Sequence, residues 1–196
     1  MKIVGVGAGP GLLTKEAISA IGNAGIIFGS QRAIELAKEH IKCRTQILTD
    51  YTLKTLPENA VVLSTGDPML SGLGKYARKG DEIISGISSL QLACARLCLD
   101  IETLSVITAH SRDLDIVKKR LLAELADGKN VFLLPDPSFG AKEIGEFLKN
   151  HALTRKIIIC LRLGYPDEKI VIGTNEELPS ETDMYCLVIT TLSDPE

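Results

Sequence analysis

The sequence predicts an α/β protein made of two α/β domains with a ligand cleft between them. Three observations carry that prediction. Short apolar, β-branched runs alternate with helical periods, Gly- and Pro-rich turns follow the strongest of those runs, and the last three runs follow one another with only loops between. A chain of 196 residues is long enough to bury the core such an architecture needs.

Taken in order, residues 3–6 read as a buried strand and 13–23 as a helix opened by Thr14 as N-cap. Residues 26–28 form a second strand, and 32–40 a helix with Ile34, Leu36 and Ala37 on its apolar side. The run 60–64 is the strongest strand of the first half and leads into Gly66-Asp67-Pro68 and a short helix over about 72–78. A strand at 82–85, a helix at 88–97 and a strand at 103–108 complete this half. Strands separated by helices at this spacing imply parallel βαβ units. In the second half, 113–127 is an amphipathic helix, 130–134 a strand and 141–150 a helix. The strands 156–161, 169–172 and 185–190 then follow without helices, which implies antiparallel pairing. The polar stretch Ala109 to Asp113 divides an N-terminal domain, 1–109, from a C-terminal domain, 113–196 with a mixed sheet.

Composition removes several function classes. A formal net charge of -3 offers no basic face for nucleic-acid phosphates. No Trp, four Tyr and four Phe provide little for stacking single-stranded bases. No apolar run approaches the ~20 residues of a membrane span, and the N-terminus lacks the pattern of a secretory signal. The expected location is the cytoplasm. An odd count of five cysteines then reads as reduced thiols. Cys94 and Cys98 read as small buried hydrophobes on a helix rather than as metal ligands, since no further Cys or His lies near in sequence. No metal site is expected.

Three motifs follow strands of the first half. Val4-Gly5-Val6-Gly7-Ala8-Gly9-Pro10-Gly11 lets the backbone turn sharply and approach a ligand. It does not fit the dinucleotide fingerprint: from Gly5 and Gly7 the third glycine falls on Pro10, from Gly7 and Gly9 on Leu12. No acidic residue ends the second strand near Phe28, and no Gly-Lys-Ser/Thr follows to make a phosphate loop. On its own the segment is equally a plain strand-to-helix turn. The second motif runs from Ser64 through Gly66-Asp67-Pro68 to Gly74, at the strand end where ligands bind in parallel sheets, and doubles as a common turn. The third, Ser85-Gly86-Ile87-Ser88-Ser89-Leu90-Gln91, leads into a helix, and its serines either cap that helix or give a hydrogen-bonding rim.

Together with Leu163-Gly164-Tyr165-Pro166-Asp167-Glu168, these motifs occur in one order that resembles the tetrapyrrole methylase family. Within it, the chain is most similar to the branch that methylates C5 of cobalt-precorrin-7 or precorrin-6Y in cobalamin biosynthesis. The resemblance covers essentially the whole chain. The first three motifs are shared with other members, diphthine synthase included, and the last one points to the C5 branch. The resemblance implies the tetrapyrrole methylase fold, with S-adenosylmethionine bound folded in the cleft and S-adenosylhomocysteine left as product. It places Ala8, Gly9 and Pro10 along the substrate trough, with Ala8 and Pro10 also near the donor. Gly66, Asp67, Leu70, Ser88 and Ser89 flank the donor, and Leu134, Leu161 and Tyr185 complete its pocket. The chain departs from the branch at His110-Ser111-Arg112, where His-Gly-Arg is frequent, and at Cys160-Leu161-Arg162, where acidic residues are frequent.

Because a methyl sulfonium is already activated, the protein chiefly has to align donor and acceptor carbon. Asp67 is the acidic candidate near the reacting groups, as a positioning residue or a base. Arg112 and Arg162, with Lys75 and Arg78, are candidates to meet the carboxylates of a tetrapyrrole substrate, or are ordinary surface charges. The resemblance further implies a homodimer, and a C15-methylating decarboxylase as a separate protein because the chain stops at Glu196. Two rival readings stay open: methylation of a protein acceptor, as in diphthine synthase, and a non-catalytic nucleotide-binding module.

Overall fold

In the computed structural model, which describes residues 1–175 and 184–191, the central strands of the first half are buried almost along their whole length. The reason is that both faces of their sheet are covered. In β1 (Lys2–Gly5), β2 (Ile26–Gly29) and β4 (Val61–Ser64), Ile3, Ile26, Phe28 and Val62 join Leu48 and Leu53 in one buried cluster. The alternate residues Val4, Ile27, Val61 and Leu63 join Ala17, Ile21, Ala33 and Ala37 of α1 (Lys15–Gly22) and α2 (Gln31–Ala37) in another. With β3 (Arg44–Ile47) and β5 (Glu82–Ile84) the sheet order is β3-β2-β4-β1-β5, all parallel, as the spacing predicts.

Helix starts follow their caps. Thr14 Oγ1 accepts from the Ala17 N–H at 3.1 Å, as expected, and Ser30 does the same for Ala33 at 3.2 Å. The expected helix at 72–78 is a 3-10 turn, Leu73–Tyr76. Its donors are engaged elsewhere: Gly74 N–H binds the Pro68 carbonyl at 2.9 Å and Leu73 N–H binds Ser64 Oγ at 3.3 Å. β3 escapes sequence reading because all four residues are exposed and none makes an apolar pattern. Only its pairing with β2, Ile26 opposite Arg44 through Gly29 opposite Ile47, defines it.

The second sheet runs β6 (Leu104–Thr108), β7 (Asn130–Leu134), β10 (Tyr185–Thr190), β8 (Lys156–Leu161), β9 (Lys169–Thr174). β6 and β7 are parallel; the other three pairings are antiparallel, as expected for strands joined by loops alone. β6, expected to close the first half, instead forms the edge of this second sheet. Accordingly the chain divides into compact units at Met1–Leu92 and Ala93–Glu196, and the polar stretch 109–113 is a loop inside the second. Nothing local in a five-residue apolar strand says which sheet it joins; that is settled by distant partners. α4 (Leu114–Ala126), capped by Asp113, and α5 (Ala141–Asn150) bury Val117, Leu121, Leu125, Ile144 and Leu148 against Ile157, Ile159, Leu187 and Ile189. Each such side chain contributes about 1.5–3 kcal/mol.

All five cysteines are free thiols. Cys94, on α3 (Ser89–Leu97), is buried, but Cys98 is exposed, a correction to the expected buried pair. Cys98 is the residue just past the helix, at φ 52, where Leu99 N–H returns to the Cys94 carbonyl and the side chain is turned outward. Among the described residues no helix is long and apolar enough to cross a membrane.

One ion cluster gives the first unit a pH-dependent clamp. Burial raises the pKa of Asp81, but the amide of Arg78 at 2.8 Å, its guanidinium at 3.2 Å and the Met1 ammonium at 3.0 Å outweigh it and hold the carboxyl at about 2. An unfolded aspartate titrates near ~3.9, so the folded value is the lower one. The clamp therefore stabilises fully above about pH 4 and is lost as pH falls toward about 2. Urea midpoints of wild type and Asp81→Asn should differ at pH 7 and converge below about pH 4; a difference that persists unchanged to pH 2.5 would refute the clamp.

Candidate active site

β4, β1 and β5 lie side by side and parallel, so their following loops emerge at one end of the sheet. The backbone laces these loops together. Val6 N–H extends the ladder to the Ser64 carbonyl at 2.9 Å. Gly7 and Gly66 then exchange hydrogen bonds of 3.3 and 2.8 Å, and Ala8 N–H binds the Ile87 carbonyl at 2.9 Å. The glycines are explained by close approach between loops. A Cβ on Gly5 would lie 2.5 Å from Gly86 N and 2.8 Å from the Gly66 carbonyl oxygen. A Cβ on Gly86 would drive into that same oxygen and sit 2.9 Å from Gly5 Cα. All three motifs thus meet at backbone contact distance.

Asp67 fastens the assembly. Its Oδ1 accepts from Met69 N–H at 2.7 Å, and its Oδ2 accepts from Gly86 N–H at 3.0 Å, in the loop beyond β5. Both oxygens are therefore engaged with backbone donors, the arrangement of a positioning carboxylate. Ser88, almost fully buried, is committed to a capping box: its Oγ accepts from Gln91 N–H at 3.2 Å, while Gln91 Oε1 accepts from Ser88 N–H at 2.8 Å. Ser89 begins α3 half-buried. Ala8 and Gly9 are buried, Pro10 is exposed, and Leu70 is half-buried above the Asp67 carbonyl that accepts its N–H at 3.2 Å. Arg32, just inside α2, reaches back to donate to the Ala8 carbonyl at 2.6 Å.

In the second unit, Leu134, Leu161 and Tyr185 come together at one end of the sheet. Tyr185 stands opposite Leu161, Leu134 opposite Thr108, and Leu134 lies one residue beyond the Leu133–Leu187 pair. Leu161 is buried. The Tyr185 hydroxyl accepts from Ala141 N–H at 3.1 Å, and Glu143 accepts from Gly140 N–H at 3.0 Å, so together they satisfy the start of α5. Arg162 follows β8 with φ 47; its Nε is 2.6 Å from Asp167, and its guanidinium lies over the Tyr165 ring at 4.6 Å. The Arg162 hydrogen bond holds the Asp167 carboxyl below the usual range. Burial pushes the Glu168 carboxyl up, but Gly164 N–H at 2.7 Å and Arg96 Nε at 2.6 Å outweigh it and lower it. The charged residues of Leu163–Glu168 therefore fold the segment back on Arg162 and Gly164 and tie it to Arg96 of α3.

Of the four cations proposed for substrate carboxylates, Arg78 is held by Asp81 and the Leu56 carbonyl, and Arg162 by Asp167. Lys75 lies 4.9 Å from the Tyr76 ring centroid. Arg112 is exposed on the loop after β6.

A profile of the family described as Tetrapyrrole (Corrin/Porphyrin) Methylases matches residues 2–179. The chain belongs to the tetrapyrrole methylases. It is 33% identical to a protein of Methanocaldococcus jannaschii named probable cobalt-precorrin-7 C(5)-methyltransferase, covering 97% of this chain and 98% of the relative. It is 28% identical to the cobalt-precorrin-7 C(5)-methyltransferase of Salmonella typhimurium, covering 87% and 88%. Among solved structures it is similar to the cobalamin-biosynthesis precorrin-6Y methylase of Archaeoglobus fulgidus, with TM-score 0.75, 28% identity and 98% of both chains covered.

Two further residues that fasten strand-end loops were not singled out from sequence, while Gln91, the last residue of the third motif, completes the capping box that the spacing Ser88-x-x-Gln91 spells. Asp136 had a signal as well, lying in Pro135-Asp136-Pro137 after a strand in the way Gly66-Asp67-Pro68 does. Arg32 had none, because its contact with Ala8 spans 24 residues and depends on where α2 docks.

Proposed function

We propose that this chain transfers the methyl group of S-adenosylmethionine to C5 of cobalt-precorrin-7, or of precorrin-6Y, in cobalamin biosynthesis and releases S-adenosylhomocysteine. The full-length similarity to the Methanocaldococcus jannaschii relative carries the choice of acceptor. The laced loops after β1, β4 and β5 support the donor site: they offer small residues and backbone polar groups at a strand end, in keeping with a donor held mainly through main chain. When bound, the donor supplies an activated methyl sulfonium. The C–S bonding pair stays on sulfur, C5 of the electron-rich macrocycle provides the pair for the new C–C bond, and a proton then leaves the methylated macrocycle to solvent, which balances the charge.

The residues of this chain then orient and enclose. Asp67 fixes the second and third loops relative to each other through two amide hydrogen bonds and acts by positioning. Arg32 holds the Ala8 carbonyl. Because a trans peptide points its C=O and N–H in opposite directions, this bond also fixes the direction of the Gly9 N–H beside the acceptor. Ala8, Gly9 and Pro10 line the substrate side of these loops.

The test is an anaerobic incubation of purified protein with methyl-labelled S-adenosylmethionine and cobalt-precorrin-7, with metal-free precorrin-6Y in parallel. Label at C5 of either macrocycle is the expected result. Calorimetric binding of S-adenosylhomocysteine without label in either macrocycle would sink the assignment, as would transfer to a protein side chain instead.

A further inference from the structure

The two units share a device. In the first, the residue after the turn of β4 is Asp67, in Gly66-Asp67-Pro68; Oδ1 accepts from the amide two residues on, Met69, and Oδ2 accepts from the amide of Gly86 in another strand-end loop. In the second, β7 is followed by Pro135-Asp136-Pro137. Asp136 Oδ1 accepts from the amide two residues on, Ser138, at 3.1 Å and from its hydroxyl at 2.7 Å, while Oδ2 accepts from Ser111 N–H at 3.2 Å in the loop after β6. In both units an Asp-Pro step uses one carboxylate oxygen to close its own turn and the other to fasten a neighbouring strand-end loop. The hydrogen bonds from Ser138 and then Ser111 hold the Asp136 carboxyl below the usual range, so the clasp stays charged at neutral pH.

What Asp136 fastens is a loop with a purpose of its own. Ser111 has φ 55, a left-handed conformation that a residue with a Cβ adopts only when its surroundings impose it. Asp136 accepts the Ser111 N–H, and Arg112 N–H closes a turn on the Ala109 carbonyl at 3.0 Å. Glycine would meet that conformation without strain; here the Asp136 hydrogen bond helps to hold a serine in it. The product is a short exposed projection that carries His110, with Nδ1 4.0 Å from Asp136, and Arg112. It stands at the same end of the sheet as Leu134, Leu161 and Tyr185.

We propose that Asp136 is a positioning residue for the acceptor: its clasp on Ser111 presents Arg112 to a carboxylate of the tetrapyrrole. The inference rests on the proposed function above. Asparagine at 136 keeps one acceptor, which the two donors of Ser138 claim, and turns its own NH2 toward the Ser111 N–H, releasing the loop.

The experiment is steady-state methylation of cobalt-precorrin-7 by wild type, Asp136→Asn, Arg112→Met and the double variant, with S-adenosylhomocysteine binding measured on each. The expected result is a rise of roughly tenfold in KM for the macrocycle in each single variant and no further rise in the double, since the two residues act through one contact. Donor affinity and kcat should stay within about twofold. Three results would overturn the inference: an unchanged KM in Asp136→Asn, additive effects in the double variant, or a joint loss of kcat, KM and donor affinity. Should Asp136→Asn not fold, Arg112→Met, an exposed substitution, decides alone: an unchanged KM refutes the inference. A wild type inactive on this acceptor overturns the functional reading and this inference with it. An active wild type with normal variants overturns only the clasp.

Discussion

Replacing Asp67 by asparagine should lower kcat/KM for methyl transfer roughly 10- to 100-fold and weaken S-adenosylhomocysteine binding by a similar factor. The carboxylate accepts from two backbone amides that point at it from different loops. Asparagine offers one acceptor and one donor, so either the Met69 or the Gly86 N–H loses its partner and faces an NH2 group. An unsatisfied amide costs about 1–3 kcal/mol. The protein avoids most of that cost by letting the loops part and the amide find water, and the arrangement proposed to hold the donor goes with them. The fold should survive, because the clusters under the sheet do not involve Asp67. Calorimetry with S-adenosylhomocysteine and a label-transfer assay check this together. Unchanged binding and turnover in Asp67→Asn would mean that the clasp positions nothing the reaction needs.

Gly86→Ala should be the most destabilising conservative change in the first unit, by about 3 kcal/mol. The added methyl meets backbone, not a side chain that can rotate away: the Gly66 carbonyl on one side and Gly5 on the other. Relief requires moving the loop after β5 away from β1, which breaks the Ala8-to-Ile87 hydrogen bond and strains the Asp67 clasp. Gly25→Ala is the control, since a Cβ there meets nothing within 4 Å and stability should change by less than about 1 kcal/mol. In urea, a loss of about 3 kcal/mol moves the midpoint down by roughly 1–3 M. Equal midpoints for the two variants would show that the three loops are not packed as tightly as described.

The sequence reads well wherever structure is local. The N-cap at Thr14, the apolar runs of β1, β2 and β4, and the antiparallel ending through β8 and β10 follow from residue type and spacing alone. The first three motifs each fall at the end of a strand, where such sheets bind ligands, and the order of all four resembles that of the family. It misreads where the outcome depends on a partner. β3 carries no apolar pattern and is a strand only because β2 pairs with it. The turn at 73–76 had the composition of a helix start, but Ser64 and Pro68 take its donors.

The same division holds within the candidate site. Sequence alone determined that Gly5, Gly7, Gly66 and Gly86 occupy special turns and that Asp67 lies among them. It also excluded the dinucleotide reading by spacing. Only the tertiary structure decided why these four are glycines: Cβ positions on Gly5 and Gly86 fall inside neighbouring loops 20 to 81 positions away, whereas Gly7 and Gly66 have positive φ. It likewise decided that Arg78 and Arg162 are bound in ion pairs, that Ser88 caps a helix, and that Asp136 repeats in the second unit what Asp67 does in the first. Local chemistry fixes which conformations a segment can take, whereas hydrogen-bond partners distant in sequence choose among them. β6 is the clearest case, a strand by its own residues and an edge of the second sheet only because Thr108 lies opposite Leu134.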